Sequence, residues 1–288
     1  MQETAFKTSP IMMLHIGLSP CPNDTFIFDA LLHNKVDTEG LQFTYHLEDV
    51  ETLNQMARTG QLDVTKVSYG AVSELLPLYR VLDAGGALGN GVGPLLVAKR
   101  LLTEEQLIAS PIALPGKYTT AHLLFSMAYP EAANKVFMPF HRIEDAVING
   151  IVEAGVIIHE NRFTYAEKGL IAIADLGTLW EIQTGAPIPL GGILARRSYD
   201  LALLRKINRV IKRSVEYAFQ HREHLPDFVI QNAQEMSHEV MNKHIDLYVN
   251  NYSLELGTTG RAAVWQLLES TLGLLREPVG SHYEVFVD

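Results

Sequence analysis

Gly93-Pro94-Leu95-Leu96-Val97-Ala98-Lys99-Arg100 and Gly191-Gly192-Ile193-Leu194-Ala195-Arg196-Arg197 follow one plan: a glycine turn, a strand-length apolar run, then a basic pair. Apolar runs of this length bounded by turn signals read as buried strands. Each is followed by a polar stretch and a helix, and the two lie nearly a hundred residues apart. That interval suggests paired crossovers between two α/β domains. The first domain is then discontinuous, residues 1–97 plus 196–288, and the second, 98–195, is inserted into it. The hinge strands fall near 94–98 and 192–196, with a ligand cleft between the domains. Two ordinary strands could match by coincidence, and composition alone leaves that open.

Working outward, the chain alternates short apolar runs with amphipathic segments, the pattern of βα units around a largely parallel sheet. Strands are expected at Leu14–Leu18, Leu41–Leu47, Val64–Val67, Pro94–Ala98, Ile112–Leu114, Gly155–Ile158 and Gly192–Ala195. Apolar spacing of three and four predicts helices over Asp24–Leu32, Val50–Thr59, Tyr69–Leu76, Thr103–Ser110, Thr120–Tyr129 and Ile143–Glu153. It predicts longer ones over Tyr199–His221, Ala233–Tyr248 and Thr259–Leu275. Gly85 to Gly93 is glycine-rich without the GxxxxGK[ST] order, so it reads as a mobile loop and not a nucleotide cradle.

The chain has 288 residues, 47% of them hydrophobic, enough for a large core. A net charge of −10 argues against nucleic acid, which demands a basic stripe. No run reaches the roughly 18–20 apolar residues of a membrane span. The opening ten residues carry no basic segment followed by an apolar one, so a cytoplasmic protein with a disordered start is expected. The single cysteine, Cys21, excludes an internal disulfide, and the eleven histidines show no paired metal spacing. No metal and no cofactor are expected. A homodimer is compatible with the chain but not argued by it.

Four strand ends share a grammar, with a hydroxyl, amide or imidazole where the next helix begins. Gly155-Val156-Ile157-Ile158-His159-Glu160 delivers His159 to the carboxyl edge of a strand, where α/β sheets bind ligands. Histidine titrates near neutrality, so His159 is the candidate general base. Ser19 to Phe26 places Asn23 or Asp24 as a helix cap; Ser68 closes Lys66-Val67-Ser68; Thr119-Thr120-Ala121 opens a helix after Gly116. Such helix ends attract anions, although each residue alone is also an ordinary cap. Lys66, Lys117 and Arg162 could neutralise a substrate carboxylate. Glu160 either faces solvent or orients His159. Cys21 reads as an inert buried thiol without a nearby base.

Together, Ser19-Pro-Cys-Pro-Asn-Asp-Thr-Phe26, Lys66-Val-Ser-Tyr-Gly-Ala71, Pro115-Gly-Lys-Tyr-Thr-Thr-Ala121 and Gly155-Val-Ile-Ile-His-Glu160 with Arg162-Phe-Thr-Tyr165 resemble the 1,4-dihydroxy-6-naphthoate synthase family of the futalosine route to menaquinone. The resemblance runs from Leu14 almost to the end. It implies a two-domain fold like type 2 periplasmic solute-binding proteins. It also implies conversion of cyclic dehypoxanthinyl futalosine to dihydroxynaphthoate with release of the sugar-derived fragment, without metal or redox cofactor. The family's proton-accepting histidine maps onto His159. Its substrate contacts map onto Lys66, Val67, Ser68, Thr120 and Ala121, with Thr119 beside them. The rivals are a non-catalytic small-anion binding protein of the same fold, and the related chorismate dehydratase, which lacks the Ser-Pro-Cys-Pro-Asn-Asp opening.

Overall fold

The computed structural model describes residues 12–234, 237–275 and 283–287. The expected disorder of the first ten residues lies outside them, as does part of the expected helix beginning at Ala233. Eleven strands run in chain order: β1 (Met12–Leu18), β2 (Leu41–Leu47), β3 (Val64–Ser68), β4 (Tyr79–Val81), β5 (Ala87–Gly89), β6 (Leu95–Ala98), β7 (Ile112–Leu114), β8 (Lys135–Phe137), β9 (Ala154–Ile157), β10 (Ile171–Asp175) and β11 (Ile188–Arg196).

They build two sheets. The first has the order β2-β1-β3-β11-β4, with β5 also pairing with β11; the second has the order β10-β6-β9-β7-β8. The α/β architecture with two sheets is that of the two-domain, periplasmic-binding-protein-like type 2 class. Neither sheet is largely parallel as expected. β1 pairs in parallel with β2 and β3, and β7 with β8 and β9, because a helix carries the chain back between them. β11 runs antiparallel to β3, β4 and β5, and β6 antiparallel to β9 and β10, because these strands enter from the opposite sheet.

The two matched segments occupy different sheets. β6 lies wholly in the second sheet, and β11 starts at Ile188, earlier than Gly192, and lies wholly in the first. The crossings are the short links between β5 and β6 and between the helix Leu176–Thr184 and β11. Backbones approach closely there: a Cβ on Gly93 would stand 2.3 Å from Gly177 Cα, so both positions need glycine. The glycine-rich stretch is no simple loop, since Ala87–Gly89 pairs with β11.

β3, β6 and β9 are buried along their whole length, as strands covered on both faces must be. Gly155 in β9 admits the helix Ile143–Ile148, whose Ile143 Cγ2 would lie 2.4 Å from any added Cβ. One apolar cluster joins Val67, Tyr69 and Leu194 of the first half with Leu96, Leu114 and Trp180 of the second. The halves therefore meet across packed side chains and not only across a cleft. Among the described residues no helix is long and apolar enough to cross a membrane.

Candidate active site

β1 ends at Leu18, and the chain turns through Ser19 to Cys21 into the helix Pro22–Leu32, with Pro22 at its start, where its missing N–H costs nothing. Cys21, not Asn23 or Asp24, occupies the cap position. Asp24 is fully buried in the first turn and accepts from Ser19 N (3.2 Å), Ser19 Oγ (2.8 Å), Asn23 Nδ2 (2.8 Å) and Lys66 Nζ (2.5 Å). A buried carboxylate with a cation and three neutral donors is fully committed. Asp24 therefore stands behind the cleft wall, while Asn23 and Lys66 line it. Lys66 arrives with its charge already answered.

At the end of β3 the strand alternation turns Val67 into the apolar cluster and Ser68 toward the cleft. Asn54, fully buried on the helix Val50–Arg58, fixes Ser68 by accepting from its N–H (2.9 Å) and donating to its Oγ (3.3 Å). Asn54 also donates to Tyr118 O across the halves (3.3 Å), and Tyr118 N donates to Glu51 Oε2 (3.1 Å). Thr119 caps the helix Thr120–Ala128, accepting from His122 N (3.2 Å). Thr120 accepts from Gly70 N (3.0 Å) and donates to Leu190 O (2.8 Å). Its hydroxyl thus ties the two halves together, whereas the Ser68 hydroxyl, held by Asn54, lines the cleft. Thr119, Thr120 and Ala121 present a helix N-terminus to the cleft, an end suited to an anion.

β9 stops at Ile157, and His159 follows with φ of 58°, a left-handed backbone uncommon outside glycine. That turn swings the imidazole back into the cleft, against Phe140 with ring centroids 4.8 Å apart. Cys21 Sγ lies 3.4 Å from His159 Nδ1. Cys21 is thus not without a nearby base or a helix end, yet burial, with Glu160 second, pushes its thiol well above the ordinary value and keeps it protonated. Burial pulls His159 down to about 4, the nearby Asp24 only partly offsetting this, so the ring is neutral at physiological pH. Cys21 Sγ, a ring nitrogen of His159 and a Glu160 oxygen come within 4.8 Å of one another.

The cleft measures about 650 Å³ with its open mouth. Val50, Val92, Pro94, Ile158 and Leu190 supply its apolar walls. Two further lining residues, His244 and Tyr248, come from the helix His238–Tyr248. Sequence reasoning missed both; the available signal was a histidine within the core-facing stripe Met241, His244, Ile245, Tyr248. Glu160 is buried, with Oε2 4.0 Å from His244 Nε2. Lys117 is exposed beside Tyr118, outside the cleft lining. Arg162 is spent on Gly93 O (2.5 Å) and on Asp175 (3.5 Å), so neither meets the expectation of a substrate cation.

A family model described as menaquinone biosynthesis matches residues 14–271. A Thermus thermophilus protein named 1,4-dihydroxy-6-naphtoate synthase is 47% identical over 254 residues, 88% of this chain and 92% of that one. Its Streptomyces coelicolor namesake is 43% identical, over 88% of this chain and 91% of that one. The crystal structure of an Archaeoglobus fulgidus protein superposes with a TM-score of 0.86 at 33% identity, covering 92% of this chain and 98% of that one. The periplasmic aliphatic sulphonate binding protein of Escherichia coli shares the fold at a TM-score of 0.63 and 15% identity, over 94% and 89% of the two chains.

Proposed function

This chain belongs to the menaquinone biosynthesis family, and from that premise we propose that it is a 1,4-dihydroxy-6-naphthoate synthase that uses His159 as its general base on cyclic dehypoxanthinyl futalosine. The observation that carries the base is the placement of His159: a neutral imidazole, forced into the cleft by a left-handed backbone, with one nitrogen already engaged. In the tautomer with Nδ1–H donating to the Cys21 sulfur, the Nε2 lone pair is left to accept a proton. Nε2 takes that proton from a sugar hydroxyl or an adjacent acidic C–H. The bond to the sugar-derived fragment then breaks, and the bicyclic remainder becomes aromatic.

The substrate's carboxylate is received at the opposite wall, by the Ser68 hydroxyl and the amides of the Thr120–Ala128 helix N-terminus. Asp24 and Lys66 hold that wall rigid. Mass spectrometry of the product from the wild type and from His159→Ala, each given cyclic dehypoxanthinyl futalosine, tests the reading. Dihydroxynaphthoate forms with the wild type, and the variant is slower by about 10²- to 10⁴-fold. Binding without turnover by the wild type would leave a small-anion binding protein in its place.

A further inference from the structure

His244 is 0% exposed, yet it lines the cleft, and among the described residues neither of its ring nitrogens has a hydrogen-bond partner. Its polar neighbour Glu160 Oε2 stands at 4.0 Å, beyond hydrogen-bond range. Buried polar groups are met in nearly every folded protein, and an imidazole left unmet on both edges calls for an explanation. The stripe it belongs to, Met241, Ile245 and Tyr248, is otherwise apolar or aromatic, so a phenylalanine would fill this place without leaving polar atoms unmet.

We propose that His244 binds a hydroxyl-bearing fragment of the substrate, anchoring the sugar-derived portion beside the base. A neutral imidazole offers one donor and one acceptor, which matches hydroxyl groups, each of which is both. A carboxylate could use only the donor, and Glu160 nearby would repel it. The anionic end therefore belongs at the Thr120–Ala128 helix N-terminus. His244 and His159 have ring centroids 6.3 Å apart, so a fragment held by His244 lies next to the proton-accepting nitrogen. Tyr248, 4.6 Å from His244 ring to ring, closes the subsite. This inference rests on the reading of the chain as the naphthoate synthase and adds to it which part of the substrate is held where.

The test pairs two ligands, cyclic dehypoxanthinyl futalosine and dihydroxynaphthoate, which lacks the sugar-derived fragment, with two variants, His244→Phe and His244→Gln. His244→Phe weakens binding of the first by about tenfold or more, the worth of one or more lost hydrogen bonds. Binding of dihydroxynaphthoate stays unchanged, and the ligand-free variant melts at the same temperature or higher, because no polar ring is left unmet. His244→Gln, which keeps a donor and an acceptor, recovers part of the affinity. Equal loss of both ligands, or a lower melting temperature that Gln does not rescue, makes His244 a structural residue and overturns the proposal. Unchanged substrate affinity in His244→Phe overturns it too. Failure of the wild type to convert the substrate sinks the parent reading instead, and this inference with it.

Discussion

At the residue scale, the chemistry turns on His159, whose backbone was invisible in the sequence. The apolar run and its terminal imidazole marked the position, but nothing in the residue order announces φ of 58° or the thiol at 3.4 Å. The pH dependence follows from burial. With the imidazole pulled down to about 4, kcat/KM stays level through neutrality and falls only as the pH approaches that value. An acid limb near 6.5 would mean the ring is solvated in the free enzyme. Stability has the opposite face of the same shift. The unfolded chain binds protons on His159 and His244 from about pH 6.5 downward while the folded chain refuses them, so this contribution is complete above 6.5 and shrinks as the pH falls toward 4. Melting curves between those limits should slope less steeply for His244→Phe than for the wild type. Ser68, Thr119 and Asn23 were legible as cleft residues from their motifs. Asp24 was legible as a helix-start residue and Thr120 as a substrate contact by resemblance, but their commitment to Lys66 and to Leu190 O was not, because it is made by segments distant in the chain.

At the element scale, the long periodic segments were readable: the helix over Leu201–Gln220 and the strand over Leu41–Leu47 lie where their spacing put them. β4, β5 and β8, three residues each, carry too few side chains for a period to show, and β10 is a partly exposed edge strand whose burial does not alternate. The antiparallel entry of β11 and β6 has no local signature, since it depends on which sheet the chain is coming from. The elements that frame the cleft depend on close backbone approach. A Cβ on Gly70 would stand 2.9 Å from Thr119 O and Thr120 N, main-chain atoms that cannot rotate away. Gly70→Ala should break the Gly70–Thr120 bond and cost substrate affinity about tenfold, near 1.4 kcal/mol, with the circular dichroism spectrum unchanged. Asn54→Ala removes the partner of Ser68 N and Tyr118 O at once; urea unfolding should register a loss of about 1–3 kcal/mol.

At the scale of the whole molecule, the cleft sits between halves already joined by a common apolar cluster and by the Thr120, Asn54 and Glu51 bridges. Wide hinge opening would expose that cluster, so small-angle scattering should give the same profile with and without dihydroxynaphthoate; a clear contraction on binding would count against it. The placement of β11 has a consequence for how the protein is made. β11 is the strand that links β3, β4 and β5 in the first sheet, yet it is synthesised after the whole of the second. A chain emerging from the ribosome therefore carries β1 to β5 as an unfinished surface while residues 95–175, contiguous in sequence, already hold every strand of their own sheet. The half whose strands come first in the sequence is the half that must wait, and its unpaired edges are the part of the nascent chain a chaperone would have to shield.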